Sequence, residues 1–321
     1  MCIIIAEKLY NYTMKFELGD LDLDEYQRLL ENSNYKRIYR ASQFLRVWVR
    51  GLPGVILKFL ISDRVVLPAL IFKRGPLKAL YSLPYQTFGG PVGNLSEEIE
   101  LEHDFQKFSE VAIDDPEYLL RIPGLEIKTA REAFINLSGG YSRVFTRYAP
   151  SRRKIVRKLR KNPPDVREFK GENDILLIYP LYHEFVQSKN IQIFPQRFFH
   201  VLVEHLYPQN IYGFVALSGG KPAGYIINVY GYGEAISFSH VWRKGEKNLS
   251  TFLIDLSIQR AAELGLKEFS LGLTNESMQG VLAFKRSFGV DFRPMRTYWK
   301  RTFYHNLARN IKTGLRKWLR F

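Results

Sequence analysis

The 321-residue sequence has one cysteine, Cys2, and six histidines scattered along the chain. A single thiol excludes an internal disulfide, and histidines this dispersed leave no Cys/His cluster at metal-ligand spacing. No metal is therefore expected. No apolar run approaches the ~20 residues that a membrane-spanning helix needs. The opening MCIIIAEKLY has no basic stretch ahead of its apolar residues and no cleavage-like segment, which reads against a signal peptide. Met14 is an alternative start, because MKFELGDLDLDEYQRLL already opens a domain. A cytoplasmic protein is expected. Acids are missing from two stretches: residues 143–161 and 293–320 each carry nine Lys/Arg and no Asp or Glu, on a chain of net charge +15. Charge concentrated in this way suits a polyanionic partner: RNA, anionic lipid or a phosphorylated substrate. A solvated charged face is the alternative for either stretch alone.

What is present excludes a mainly disordered chain. The sequence is 46% hydrophobic and 14% aromatic, and its length suits two domains, since one core rarely grows past about 250–300 residues. The first half reads as two helices, DLDLDEYQRLLENS and YRASQFLRVWVRGLPG, then short strands within VILKFLISDRVVLPALIFKRGPLKALYSLPY. A Gly/Pro loop and a helix capped by Ser96 are expected over GGPVGNLSEEIELEHDFQKFSEVAIDD, followed by a strand EIKTAREAFIN closing on glycines.

The second half starts with a basic helix, PSRRKIVRKLRKNPP, with Ser151 as its expected cap, and two further helices, DILLIYPLYHEFVQSKN and PQRFFHVLVEHLYP. Three strands with hairpin signals follow: IYGFVALS, KPAGYIINVY and EAISFSHVW. After the loop RKGEKN come an amphipathic helix LSTFLIDLSIQRAAELG, a strand EFSLG, a helix SMQGVLAFKRSFG and a last strand FRPMRTYWKR. This is the core order of the GNAT acyltransferase fold, in which the sheet splays after the third strand and the following helix N-terminus faces the donor. The expected class is α/β (α+β): two tandem GNAT-like domains, 14–142 and 143–302, each a mixed, mostly antiparallel sheet flanked by helices, then a basic amphipathic tail, 303–321.

Four segments carry a closer resemblance. SLPYQTFGGPV (82–92), AFINLSGGYSRVFTRYAPSRRKIVRKLRK (133–161), IQIFPQRFF (191–199) and FSLGLTNESMQGVLAFKRSFGVDFRP (269–294) are similar to successive signatures of the FemABX group, in order, over residues 30–300. Characterised members of that group move an amino acid from aminoacyl-tRNA to an amine of a peptidoglycan precursor. The resemblance implies an N-acyl- or aminoacyltransferase with aminoacyl-tRNA as donor and a phosphorylated or lipid-linked cell-envelope precursor as acceptor. Acyl-CoA is the second donor, for a GNAT N-acetyltransferase acting on a sugar or polysaccharide amine. The Arg/Gln-x-x-Gly-x-Gly/Ala loop of coenzyme A enzymes is absent, and WRKGEKN supplies a single glycine. A third reading is a non-catalytic module that binds RNA or anionic membrane.

The resemblance also assigns Lys285, beside Phe284, to a substrate channel where it stabilises the tetrahedral intermediate. Neighbouring phenylalanines lower the local dielectric and strengthen a fixed ammonium; a snorkelling structural lysine is the alternative. His240 is the expected base, with Phe238 and Trp242 on its strand face by alternation. Asp255 and Glu276 are alternatives, as is proton loss to solvent or a core histidine with no chemistry. Arg153, Arg157 and Arg160 fall at i, i+4 and i+7, on one face suited to an acceptor stem or a diphosphate, or else on a structural linker helix. Arg243, Lys244 and Asn248 surround the loop where a donor would enter. Tyr85 is expected to line the acceptor groove or to sit in a tight structural turn. The tail puts Phe303, Leu307, Ile311, Leu315 and Trp318 on one stripe among basic residues, as in an anchor to anionic lipid, which would place the protein at the inner face of the membrane.

Overall fold

The computed structural model describes residues 13–84, 87–189, 191, 193–246, 248–274 and 277–302. The expected tail, Tyr85 and Glu276 lie outside the described residues. The chain packs as two compact units: the first contains residues 13–35, 56–128 and 296–302, and the second contains Lys36–Val55 and Thr129–Met295. The stretch Lys36–Val55 thus leaves the first-half sequence to pack in the second unit.

In the first unit, β1 (Thr13–Lys15) and β2 (Glu17–Gly19) precede α1 (Leu23–Glu31). Asp22 caps α1 by accepting from the N–H groups of Asp24 and Glu25 at 2.9 and 3.1 Å, and acids fill its first turn. Then come β3 (Val55–Ile61), β4 (Val65–Arg74), β5 (Leu77–Tyr81), β6 (Val92–Gly93), β7 (Ile99–Glu102), β8 (Glu110–Asp115) and β9 (Leu120–Arg121). The main sheet runs β8-β5-β4-β3-β2, with β6 on β4, and β1, β7 and β9 form a small parallel sheet. The helix expected after Ser96 is absent, and β7 stands in its place. Ile99 and Leu101 are buried while Glu102 faces out, a period of two that satisfies a strand and not a helix.

The second unit holds α2 (Ser42–Gly51), β10 (Glu126–Asn136, from Thr129 on), α3 (Gly140–Arg147), α4 (Pro150–Lys161) and β11 (Asp165–Glu168). It continues through α5 (Glu172–Ser188), α6 (Gln196–Leu206), β12 (Ile211–Ser218), β13 (Lys221–Gly231) and β14 (Glu234–Trp242). Last come α7 (Leu249–Glu263), β15 (Glu268–Thr274), α8 (Gln279–Arg286) and β16 (Asp291–Arg301), which enters the first unit at Arg296. The strand order is β11-β12-β13-β14-β15-β10, antiparallel except for β14 and β15. Two sequence expectations need correction. Helix α4 begins at Pro150, with Ala149 and not Ser151 at the cap, since proline at the first helical position loses no intrahelical bond. Helix α7 is buried on most of its sides, including Thr251, Asp255 and Ser257, so it is a central helix and not an amphipathic one.

The core of this unit packs Ile135, Val156, Ile226, Leu253, Ile258, Phe269 and Phe288 around α7. Shortening one such leucine to alanine costs about 2–5 kcal/mol. A second, aromatic layer joins α2 to α6: Trp48 meets Phe198 with centroids 5.1 Å apart, and Phe198 stacks on Phe194 at 4.5 Å.

Candidate active site

Strands β14 and β15 run parallel for three rungs only, Glu234↔Glu268, Ala235↔Phe269 and Ile236↔Ser270. Beyond them β14 continues to Trp242 and β15 to Thr274 without pairing to each other, so the sheet opens toward their C-terminal ends. A β-bulge assists. The β13–β14 register passes from Asn228↔Ser237 to Ile227↔Ser239, leaving Phe238 as the extra residue.

The bulge also breaks the expected alternation. Phe238 packs on Tyr39, Phe44 and Phe198. His240 stands opposite Ile226, which belongs to the core around α7, and cross-strand partners share a face. His240 and Trp242 remain neighbours, rings 5.1 Å apart. The His240 Nε2 is buried without a hydrogen-bond partner among the described residues, and burial pushes the imidazole down to about 4. It is neutral at physiological pH and a weak base. The alternative base Asp255 is fully buried, accepting from the Tyr141 hydroxyl at 2.5 Å and from Arg160 at 2.8 Å.

Across the opening, Lys285 is 8% exposed, and its Nζ donates to the carbonyls of Gly272 and Leu273 at 3.0 and 2.8 Å. These lie two and three residues past the last β14–β15 rung. Gly272 has φ +75°, a left-handed conformation that glycine adopts without strain and that turns neighbouring carbonyls toward one point. Burial pushes Lys285 down to about 8, and the negative charge of Glu132 acts in the opposite direction. Glu132, 1% exposed on β10, accepts from Arg293 Nε at 2.5 Å and from the Ser270 hydroxyl at 2.6 Å, with Arg37 at 3.4 Å. Burial pushes its carboxyl up, but the two arginines outweigh burial and hold it below the ordinary value. Ser270 Oγ in turn accepts from the Gly272 N–H at 3.1 Å. A hydrogen-bond relay thus runs from Glu132 through Ser270 to the glycine that presents carbonyls to Lys285.

The phenylalanines of the LAFKRSFG stretch serve a different cation. Phe284 and Phe288 carry the guanidinium of Arg152, 4.8 and 4.7 Å from their ring centroids. Arg152 also donates to Ser287 Oγ at 2.8 Å and to Thr251 Oγ1 in the first turn of α7. Burial lowers its pKa, and among the described residues no carboxylate pairs with it. Next to Thr251, the Ser250 hydroxyl is buried without a partner among the described residues. A cation together with free helix N–H groups forms an anion-attracting end. Sequence reasoning missed Arg152. Its signal was position: it precedes Val156 by four residues and Leu159 by seven, on the helix's apolar stripe.

The other expected residues are placed as follows. Arg153 donates to the carbonyls of Thr146 and Tyr148 at 2.6 and 2.8 Å, closing the end of α3. Arg157 lies over the Phe145 ring at 5.8 Å, and Arg160 is bound to Asp255, Tyr141 and Gln259. The three share one face, and that face meets α3 and α7. Exposed Lys154, Lys158 and Lys161 join Arg153 and Arg157 along an open groove of about 540 Å³ on α4. Arg243, Lys244 and Asn248 are exposed in the loop entering α7. Among the described residues no group of three or more His, Cys, Asp or Glu is placed to hold a metal ion, and no helix is long and apolar enough to cross a membrane.

A sheet that parts between two parallel strands, with a buried helix starting at the gap, gives the second unit a GNAT-like fold, and the described residues share the tandem GNAT-like fold of the similar structures. The structure is similar to that of FemX, with a TM-score of 0.61 at 9% identity over 87% of this chain and 96% of that one. It is also similar to a tandem GNAT protein from the clavulanic acid biosynthesis pathway, at TM-score 0.53 and 12% identity over 88% and 97% of the two chains. A third similar structure is L-PGS from Bacillus licheniformis, at TM-score 0.52 and 12% identity over 90% and 96%. No protein-family model and no curated protein matches the sequence.

Proposed function

We propose that the protein is an N-acyltransferase that moves an aminoacyl group from aminoacyl-tRNA to an amine of a phosphorylated or lipid-linked cell-envelope precursor. The observation that carries this reading is Lys285, a cation enclosed where β15 has parted from β14 and bound only to backbone carbonyls among the described residues. Acyl transfer to an amine needs a nucleophile and a carbonyl held together and a positive group where the oxyanion develops. An ammonium with one N–H unspent is suited to that last task. His240, neutral, supplies a hydrogen-bonding wall on the opposite strand, and Phe284 holds Arg152 beside the site.

The N-terminus of α7 with Arg152, and the exposed Arg243, Lys244 and Asn248 of the loop before it, supply the anion-attracting end for the donor phosphates. The outer face of α4, with Lys154, Arg157, Lys158 and Lys161, adds a basic surface for the remainder of a tRNA. The protein works in the cytoplasm, facing the membrane when the acceptor is lipid-linked. The fold likeness to FemX agrees with the resemblance of the sequence to the FemABX group, from which the donor and acceptor of this reading are taken. A second reading, acyl-CoA-dependent N-acetylation of a sugar amine, is favoured by the anion-attracting end at α7.

The test is a discharge assay with a mixed pool of charged tRNA and, separately, labelled acyl-CoAs, each with an amine acceptor. Loss of the aminoacyl group from tRNA is expected. Discharge of acyl-CoA alone would transfer the assignment to the second reading. Inertness toward every donor would leave a binding module for RNA or anionic membrane.

A further inference from the structure

Lys285 occupies a geometry that fixes two of its hydrogens and leaves one direction open. A neutral amine has two N–H bonds and one lone pair, and an ammonium has three N–H bonds. The Gly272 and Leu273 carbonyls take two hydrogens at 3.0 and 2.8 Å. Protonation therefore alters a single feature, whether the remaining direction carries a hydrogen or a lone pair. No carboxylate among the described residues pairs with Nζ to lock it in the charged form. The carbonyls are held by the left-handed turn at Gly272, by Ser270 and by Glu132, so the nitrogen does not have to move between its two states.

The charges around it are set by several elements. Glu132 on β10 draws the proton toward Lys285, and Arg37 and Arg293 offset that pull. Glu268 on β15 is occupied by Arg293 at 2.7 Å. From α4, Arg152 adds a positive neighbour on the Phe284 and Phe288 rings, and Arg286, next to Lys285 on α8, is exposed. With burial, the balance leaves Lys285 near about 8, where both forms are populated at neutral pH.

We propose that Lys285 is the proton-transfer group of the acyl transfer, an inference that rests on the acyltransferase reading. The neutral amine takes a proton from the attacking nitrogen as the new C–N bond forms. It thereby becomes a cation when the carbonyl oxygen becomes an oxyanion. As the C–O bond of an ester donor, or the C–S bond of a thioester, breaks, the same proton passes to the leaving oxygen or sulfur. The products are an amide and a free hydroxyl or thiol, and Lys285 is neutral again. One residue thus acts as base, electrostatic partner and acid in turn.

The pH dependence separates this role from that of a permanent cation. The full chain is assayed with the donor that discharges in the mixed-pool experiment and with hydroxylamine as acceptor, an amine that is already neutral across the range. A proton shuttle gives a rate that rises with pH and levels above about 8. A permanent cation gives a rate that falls through the same value. In a Cys2→Ser background, Lys285→Cys alkylated to an aminoethyl thioether is expected to restore transfer with the rising limb displaced to lower pH, because sulfur lowers the amine's basicity. Lys285→Arg, always charged, is expected to stay inactive.

A readout without turnover is competitive acetylation of Lys285 by acetic anhydride, followed by peptide mass spectrometry. Half-maximal reactivity is expected near pH 8, and at lower pH in Glu132→Gln, which removes the charge but keeps the acceptor oxygen. A falling limb, full activity of Lys285→Arg, or a limb that the aminoethyl variant leaves in place would overturn the shuttle and spare the acyltransferase reading. Inertness toward every donor would remove both.

Discussion

The two units handle buried polar groups differently. In the first, Asp115 is fully buried and receives Arg296 at 2.7 Å together with the N–H groups of Leu119 and Leu120, Asp114 receives Thr297 at 2.8 Å, and Glu110 receives Tyr81 and Arg301. In the second, the Asn228, Glu234, His240, Ser250 and Thr274 side chains each keep a buried polar atom without a partner among the described residues, where the first has the Nε2 of His103 in that state. Lys285 is buried there with carbonyls in place of an acid. An unpaired buried polar group costs roughly 1–3 kcal/mol, so a fold that keeps several in one unit has a reason other than stability. Three of these residues, His240, Ser250 and Thr274, lie at the ends of β14 and β15 and the start of α7. The contrast points to chemistry in the second unit and to a largely structural polar network in the first.

The strongest test of that contrast is Lys285→Ala. Transfer is expected to fall at least about a hundredfold, the loss typical of removing one group that meets a developing oxyanion, while circular dichroism stays that of a folded protein. Next in size are two stability measurements. Glu132→Ala takes one carboxylate from Arg37 and Arg293, which keep Glu234 and Glu268, and leaves the Ser270 hydroxyl without its acceptor; it is expected to lower the urea-derived stability by about 1–3 kcal/mol. Asp115→Ala in the first unit should cost a similar amount, with only the Glu132 change moving the acetylation midpoint of Lys285.

A smaller effect separates His240 from a general base. Its folded pKa of about 4 lies below the ordinary 6.5, so the unfolded chain takes the proton first. The stability present above pH 6.5 is then lost progressively as pH falls toward about 4, and His240→Leu should flatten that stretch of the urea midpoint against pH. The smallest expected change comes from Lys154→Ala, Lys158→Ala and Lys161→Ala combined. RNA binding should weaken, and the slope of log affinity against log salt should flatten by about 0.7–0.9 for each phosphate that is no longer neutralised.

Much of the second unit was legible because its strands and turns declare themselves locally: apolar runs in IYGFVALS and KPAGYIINVY and glycines at each turn. The interval after Ser96 misled because a cap and a run of acids imitate a helix start, whereas burial of Ile99 and Leu101 is a tertiary fact. The LAFKRSFG stretch drew attention to Lys285, but it read Phe284 and Phe288 as the lysine's walls when they carry Arg152, which arrives from α4, over a hundred residues earlier in the chain. Glu132 left no signal, since EIKTAREAFIN looks like any exposed strand until Arg37 and Arg293 come to it from distant sequence. Nor did the sequence disclose that Lys36–Val55 packs with the second unit, because that choice lies in Trp48 and Phe44 meeting Phe198 and Phe238.

The central claim concerns one nitrogen at the mouth of an opened sheet, and single-turnover discharge of the accepted donor addresses it most directly. Wild type and the Asp115→Ala variant should release the acyl group to an added amine at comparable rates while folded, and Lys285→Ala should leave the donor charged over the same interval. Discharge by Lys285→Ala at the wild-type rate would contradict the account.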